Sequence, residues 1–183
     1  MQRELVMYSK AKISGHPIHP ALVAFPIAFY VGALVSLIAF AATRDAFWFR
    51  VACYASTAGV VMGAVAAIPG LIDLLSIPSG TKARATAYTH ALLNVVTLLL
   101  FVIVAMITWR QWSAWPSVSL DARLPLILAV VGSGTLIAAG AFGWKLVQTH
   151  HVGVTDPMPL EETHTTTLTG VGGTMREPHV RTR

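Results

Sequence analysis

Read as a string of apolar and polar positions, the chain shows four long apolar blocks separated by short polar breaks. The blocks run over 21–42, 51–72, 85–109 and 124–144, and none contains Asp, Glu, Lys or Arg. A helix rises about 1.5 Å per residue, so about 20 apolar residues cross a hydrocarbon core of roughly 30 Å. Each block meets that length, and each is bounded by charge: Lys10 and Lys12, Arg44 and Arg50, Asp73, Lys82 and Arg84, Arg110 and Arg123, then Lys145. The pattern predicts an all-α fold, an integral membrane four-helix bundle with a disordered C-terminal tail. Its parts are a polar N-terminal segment over 1–19, a four-span domain over 20–148 with helices near 20–42, 47–76, 84–110 and 123–148, and a polar tail over 149–183. Beyond Thr149 the composition turns to Thr, Gly, Pro and charge, with too little apolar surface to offset the entropy of ordering. His164 and His179 in that tail read as solvated.

Composition sharpens this picture. The chain has 183 residues, 55% of them hydrophobic and 11% charged, and a mean hydropathy of +0.65, outside the range of soluble globular domains. The first 19 residues are polar and mixed, unlike a cleaved secretion signal. The single cysteine, Cys53, has no partner for a disulfide within the chain and reads as a small packing hydrophobe. The net charge of +5 comes from basic residues scattered at helix ends, which argues for membrane anchoring and against nucleic acid. Basic residues are somewhat richer on the side shared by the two termini, so both termini are expected in the cytoplasm and the chain in the cell inner (plasma) membrane, multi-pass.

Two patterns on the spans concern packing. Gly59, Gly63, Ala66, Gly70 and Asp73 recur at helical spacing and make a ribbon almost without side chains; Gly132, Ala139 and Gly143 do the same on the fourth span. A close helix interface is the leading explanation, with clearance for a flat cofactor the alternative. No internal repeat is evident, nor any phosphate-binding loop or hydrolase signature. No paired carboxylates or base-activated nucleophile can be assembled, so an enzyme is not expected.

The candidate chemistry is histidine. "GHPIHP" (15–20) places His16 and His19 each before a proline, which disfavours helix and predicts both held extended ahead of a helix starting near Pro20. His90 and Asn94 lie one turn apart on a stripe continuing through Thr97, Phe101, Val104 and Thr108, a polar pair expected to face the bundle interior. Four alternating spans bring His16, His19, Asp73, His90 and His150 to a single membrane face, the cytoplasmic one, while the opposite face has no histidine.

The stretches 15–38, "GLIDLL" (70–75) and "ARATAYTHALLN" (83–94) resemble the bacterial membrane family catalogued as domain of unknown function 2231, over roughly residues 13–150. The resemblance implies a small four-helix membrane protein with a respiratory or redox association, because relatives occur beside cytochromes; it implies no settled activity. His16, His19, Asp73 and His90 fall on the family's motif positions, and His150 follows them. Three readings stay open. A b-type haem would take one imidazole from His16 or His19 and one from His90 or His150, with Asn94 nearby, at most one haem in all. Alternatively, zinc, copper or iron would be held by His16, His19 and His90, with Asp73 as ligand or hydrogen-bond acceptor. In the third reading the polar layer is structural and the chain is an accessory subunit without cofactor. The expected partners are the lipid bilayer and, for the redox readings, a cytochrome, another membrane redox subunit or a quinone; self-association is also open to such a chain.

Overall fold

A computed structural model describes residues 10–13 and 16–153, with the backbone alone at 12–13 and 16–17. The N-terminal nine residues and the tail after Gly153, including His164 and His179, lie outside the described residues. Four helices form: α1 (Ile18–Thr43), α2 (Ala46–Ser76), α3 (Lys82–Ala114) and α4 (Arg123–Gln148). All four are long and apolar enough to cross a membrane. They stop where the sequence supplies a cap or a break. Asp45 accepts from Phe47 N at 2.9 Å to start α2, and Thr81 accepts from Arg84 N at 3.1 Å to start α3. Pro78 follows the end of α2.

One boundary corrects the sequence reading. The helix α1 begins at Ile18, so His19 and Pro20 sit in its first turn instead of extended ahead of it. Proline is tolerated there because the first N–H groups of a helix have no partner within it. The turn is held from outside, by Ile18 N donating to Ala11 O at 3.0 Å. His16 does lie in extended backbone. Two short strands, β1 (Lys12–Ile13) and β2 (His16–Pro17), pair antiparallel with Ile13 opposite His16.

The helices pack in a closed ring, α1 against α2, α2 against α3, α3 against α4 and α4 against α1, leaving α1 and α3 to meet across the middle. They meet through Tyr30 and Phe101, whose rings stack at 4.1 Å and 20°. Around this stack lies the main core: Ala33, Leu37, Phe40, Phe49, Ala52, Val104, Ala122 and Ala129. A smaller cluster of Ile77, Ala83, Ala87 and Leu146 closes the end at which α1 and α3 begin. Cys53 is buried, as expected of a packing residue.

The two hairpins, α1–α2 and α3–α4, repeat one another. Tyr30 follows His19 at the same interval as Phe101 follows His90, and Gly59, Ala66 and Gly70 are spaced as Gly132, Ala139 and Gly143. The contacts match as well. Tyr30 lies on Gly59 and Phe101 on Gly132; His19 lies on Gly70 and His90 on Gly143. Buried positions agree along the helices, with Pro26, Ala33 and Leu37 answering to Thr97, Val104 and Thr108. Both hairpins start at the same end, so they are related by a pseudo-two-fold axis running along the bundle, as in parallel membrane repeats. The expectation that no internal repeat exists is thereby overturned.

The repeat explains the glycine ribbons. A Cβ on Gly59 would stand 2.6 Å from Tyr30 Cδ1, and one on Gly132 would stand 2.9 Å from Phe101 Cε2. Both are too close, so the glycines admit an aromatic ring from the adjacent helix of the same hairpin. Gly32 and Gly140 have open space instead. Gly59→Ala and Gly132→Ala should each cost about 1–3 kcal/mol through overpacking. Gly32→Ala and Gly140→Ala should be neutral or slightly stabilising. Reversible unfolding in mixed micelles measures all four.

Candidate functional site: a symmetric pair of imidazoles

A carbonyl in a helix points along the axis toward the residue four positions on, whose side chain ordinarily shields it. Ala66 and Ala139 are each followed at that position by glycine, Gly70 and Gly143, and the shield is missing. An imidazole takes its place. His19 Nδ1 donates to Ala66 O at 2.9 Å, and His90 Nδ1 donates to Ala139 O at 2.8 Å. A Cβ on Gly70 would lie 2.8 Å from His19 Cε1, and one on Gly143 would lie 3.0 Å from His90 Cε1.

These two bonds fix the chemistry of both rings. A carbonyl only accepts, so Nδ1 carries the proton, and a neutral imidazole then keeps its lone pair on Nε2. The two nitrogens of an imidazole face nearly opposite ways. Both rings lie against bare backbone: a Cβ on Gly70 would stand 3.0 Å from His19 Nδ1 and 3.4 Å from its Nε2, and one on Gly143 3.2 and 4.0 Å from the same atoms of His90. The ring centres are 6.3 Å apart and the planes stand at 90°. Asn94 flanks His90: its Nδ2 donates to His90 O at 2.8 Å and lies 3.5 and 3.2 Å from the two ring nitrogens. With Nδ1 donating to Ala139 O, Nε2 is the ring nitrogen that can accept from the Asn94 amide, at 3.2 Å.

The remaining candidates stand apart from this pair. Asp73 Oδ1 accepts from Lys10 N at 3.0 Å and Ala11 N at 3.1 Å. Its position, one turn beyond Gly70, makes it a clamp on the chain that leads into α1. Lys10 and Ala11 are gripped, the β1–β2 pair reverses the direction, and Ile18 bonds back to Ala11, delivering His19 to Gly70. His150 Nε2 lies 3.2 Å from Thr86 Oγ1, joining the end of α4 to the start of α3. The side chain of His16 lies outside the described residues. Among the described residues, no three of His, Cys, Asp and Glu gather closely enough to hold a metal ion.

Two features escaped sequence reasoning. The backbone carbonyls of Ala66 and Ala139 are as much part of the site as the rings, and the glycine four residues later was their only trace. Tyr30, stacked on Phe101 across the middle of the bundle, was marked only by the equal spacing of the two rings from His19 and His90.

The chain matches, over residues 15–156, the family model described as predicted membrane protein, DUF2231. The chain belongs to this family. The match spans all four helices and both histidines of the pair, so the bundle of this DUF2231 member is the family's unit and the tail beyond 156 is outside it. No curated protein and no solved structure matches it. It is a small multi-pass membrane protein of four spans.

Removal of the clamp should loosen the delivery of His19 without unfolding the bundle. In Asp73→Ala, amide hydrogen exchange at Lys10, Ala11 and Ile18 is expected to speed at least about tenfold, the loss of a net hydrogen-bonding energy near 1.5 kcal/mol or more for bonds to a carboxylate. Exchange within α4 should not change; equal protection at Lys10 and Ala11 in the variant would refute the clamp.

Proposed function

We propose that this DUF2231 member is a membrane electron carrier in which His19 and His90 provide the two axial imidazoles for a single b-type haem. The observation that carries the reading is the number and preparation of the ligands. Two imidazoles lie 6.3 Å apart at 90° across the bundle, each with Nδ1 tied to a backbone carbonyl. That outer hydrogen bond is the usual means of orienting a ligating histidine and raising its basicity. A bare zinc or iron ion asks for three or four protein ligands. Haem iron, already held by four porphyrin nitrogens, asks for two. The donor set therefore fits the porphyrin better than the free ion, and Asp73 is engaged elsewhere.

Bound haem supplies a one-electron couple. The chain's own contributions follow from its side chains. Ile77, Ala83, Ala87 and Leu146 form an apolar cluster at the end of the bundle at which α1 and α3 begin. Asp73, one turn beyond the Gly70 on which His19 lies, is taken up by Lys10 N and Ala11 N. The pair lies toward one end of the bundle, and a centre at one face exchanges electrons with a partner at that face, a cytochrome or other redox subunit or a quinone in the bilayer. The basic residues near the chain ends favour the cytoplasmic face of an inner membrane for it.

Detergent-purified protein should show a Soret band and a sharp reduced alpha band on dithionite addition. His19→Ala and His90→Ala should each lower haem occupancy at least about tenfold, and Gly70→Ala and Gly143→Ala should lower it less by displacing the rings. His150→Ala should leave it unchanged. A colourless preparation sinks the haem; elemental analysis of the same sample then separates a bound transition metal from a purely structural polar layer.

A further inference from the structure

The pseudo-two-fold repeat acts as an internal control: where one half carries a polar atom that the other does without, packing alone does not require it. The sharpest such difference lies at the centre of the bundle. Tyr30 and Phe101 occupy equivalent positions, stack on each other, and are both buried, at 3% and 0% exposure. Phe101 shows that a plain ring fills this place. Tyr30 adds a hydroxyl, and its oxygen has no hydrogen-bond partner among the described residues.

The helix opposite is altered to receive that oxygen. A Cβ on Gly63 would stand 2.6 Å from Tyr30 Oη, so only glycine admits the hydroxyl. Counted from Gly59 and Gly132, the equivalent of Gly63 in the second half is Leu136, a half-buried leucine packed against the core. The two halves thus differ by a matched pair: Tyr with Gly in one, Phe with Leu in the other. Burying a hydroxyl away from water without a partner is unfavourable, and a close-packed apolar solution already exists within the same chain. Gly63 also lies one turn from Ala66, whose carbonyl anchors His19, so the hydroxyl sits just beneath the imidazole pair.

We infer that Tyr30 and Gly63 form a binding site for a small hydrogen-bond-accepting oxygen from outside the protein, with the Tyr30 hydroxyl as donor. Two sources offer that chemistry in a membrane interior: a buried water, and a carbonyl or ether oxygen on a lipid-soluble molecule. The site stands whether or not haem is bound between the histidines, because it rests on the hydroxyl, its burial and the matched difference between halves.

Infrared spectra of the full chain in lipid nanodiscs, with ring-labelled tyrosine and the Tyr30→Phe variant to assign the band, read the state of this hydroxyl directly. The expected result is a hydrogen-bonded donor. A water O–H stretching band that shifts on exchange into 18O water and is missing in Tyr30→Phe identifies water as the source. An indifferent band, lost when lipid-soluble molecules are extracted, identifies a ligand oxygen, and mass spectrometry of the extract should then show that ligand reduced at least tenfold in Tyr30→Phe/Gly63→Leu. That double variant copies Phe101 and Leu136 and should fold. A free-hydroxyl band, or a bonded band that responds to neither treatment, overturns the site. The Soret region of the same sample reports haem separately, so a colourless protein with a bonded Tyr30 removes the haem and keeps this site.

Discussion

Inside a bilayer, burying one more leucine against a neighbouring helix gains almost nothing, because lipid tails are as apolar as leucine. What holds these four helices is close approach and a few hydrogen bonds that have no competitor in hydrocarbon. Rings laid on glycine meet both needs. Tyr30 on Gly59, Phe101 on Gly132, His19 on Gly70 and His90 on Gly143 are flat surfaces against bare backbone, and the two imidazoles add a hydrogen bond to the carbonyl that the glycine uncovers. Within each hairpin this seals two helices together. Between hairpins, the same rings meet across the middle, so the packing that makes each half also supplies the contact that joins them.

The site is therefore inseparable from the scaffold. The imidazoles would be costly in a membrane interior without partners, and each spends its proton on a backbone carbonyl. The two halves match in this, ring for ring and glycine for glycine. The clamp from Asp73 adds to this by fixing the chain just ahead of His19.

Much of the fold was legible in the sequence because the rule that forbids charge in hydrocarbon is nearly absolute. The breaks at Arg44, Asp73, Arg84 and Arg123 mark the helix ends within a few residues. The start of α1 was misplaced: local proline geometry argued for extended backbone at His19, and a long-range bond from Ile18 to Ala11 prevailed. The repeat was hidden by its own economy of identity, since few residues are the same and the register shifts. Gly59 comes 29 residues after Tyr30, whereas Gly132 comes 31 after Phe101. Topology alone correctly gathers histidines at one end of the bundle, but it cannot tell which of them share a space. That choice was made by the bare carbonyls of Ala66 and Ala139, which gather His19 and His90, while Thr86 takes His150.

The matched hairpins have a consequence for how such a chain can be built at all. A unit that crosses the bilayer twice returns to the side from which it set out, so a second unit appended to it must thread in the same sense. Corresponding atoms then face one another at equal depth without any inversion. A single-span unit joined in tandem would bury its copies head to tail and send equivalent histidines to opposite leaflets. Two crossings are thus the smallest module whose doubling can bring equivalent histidines together on a shared axis.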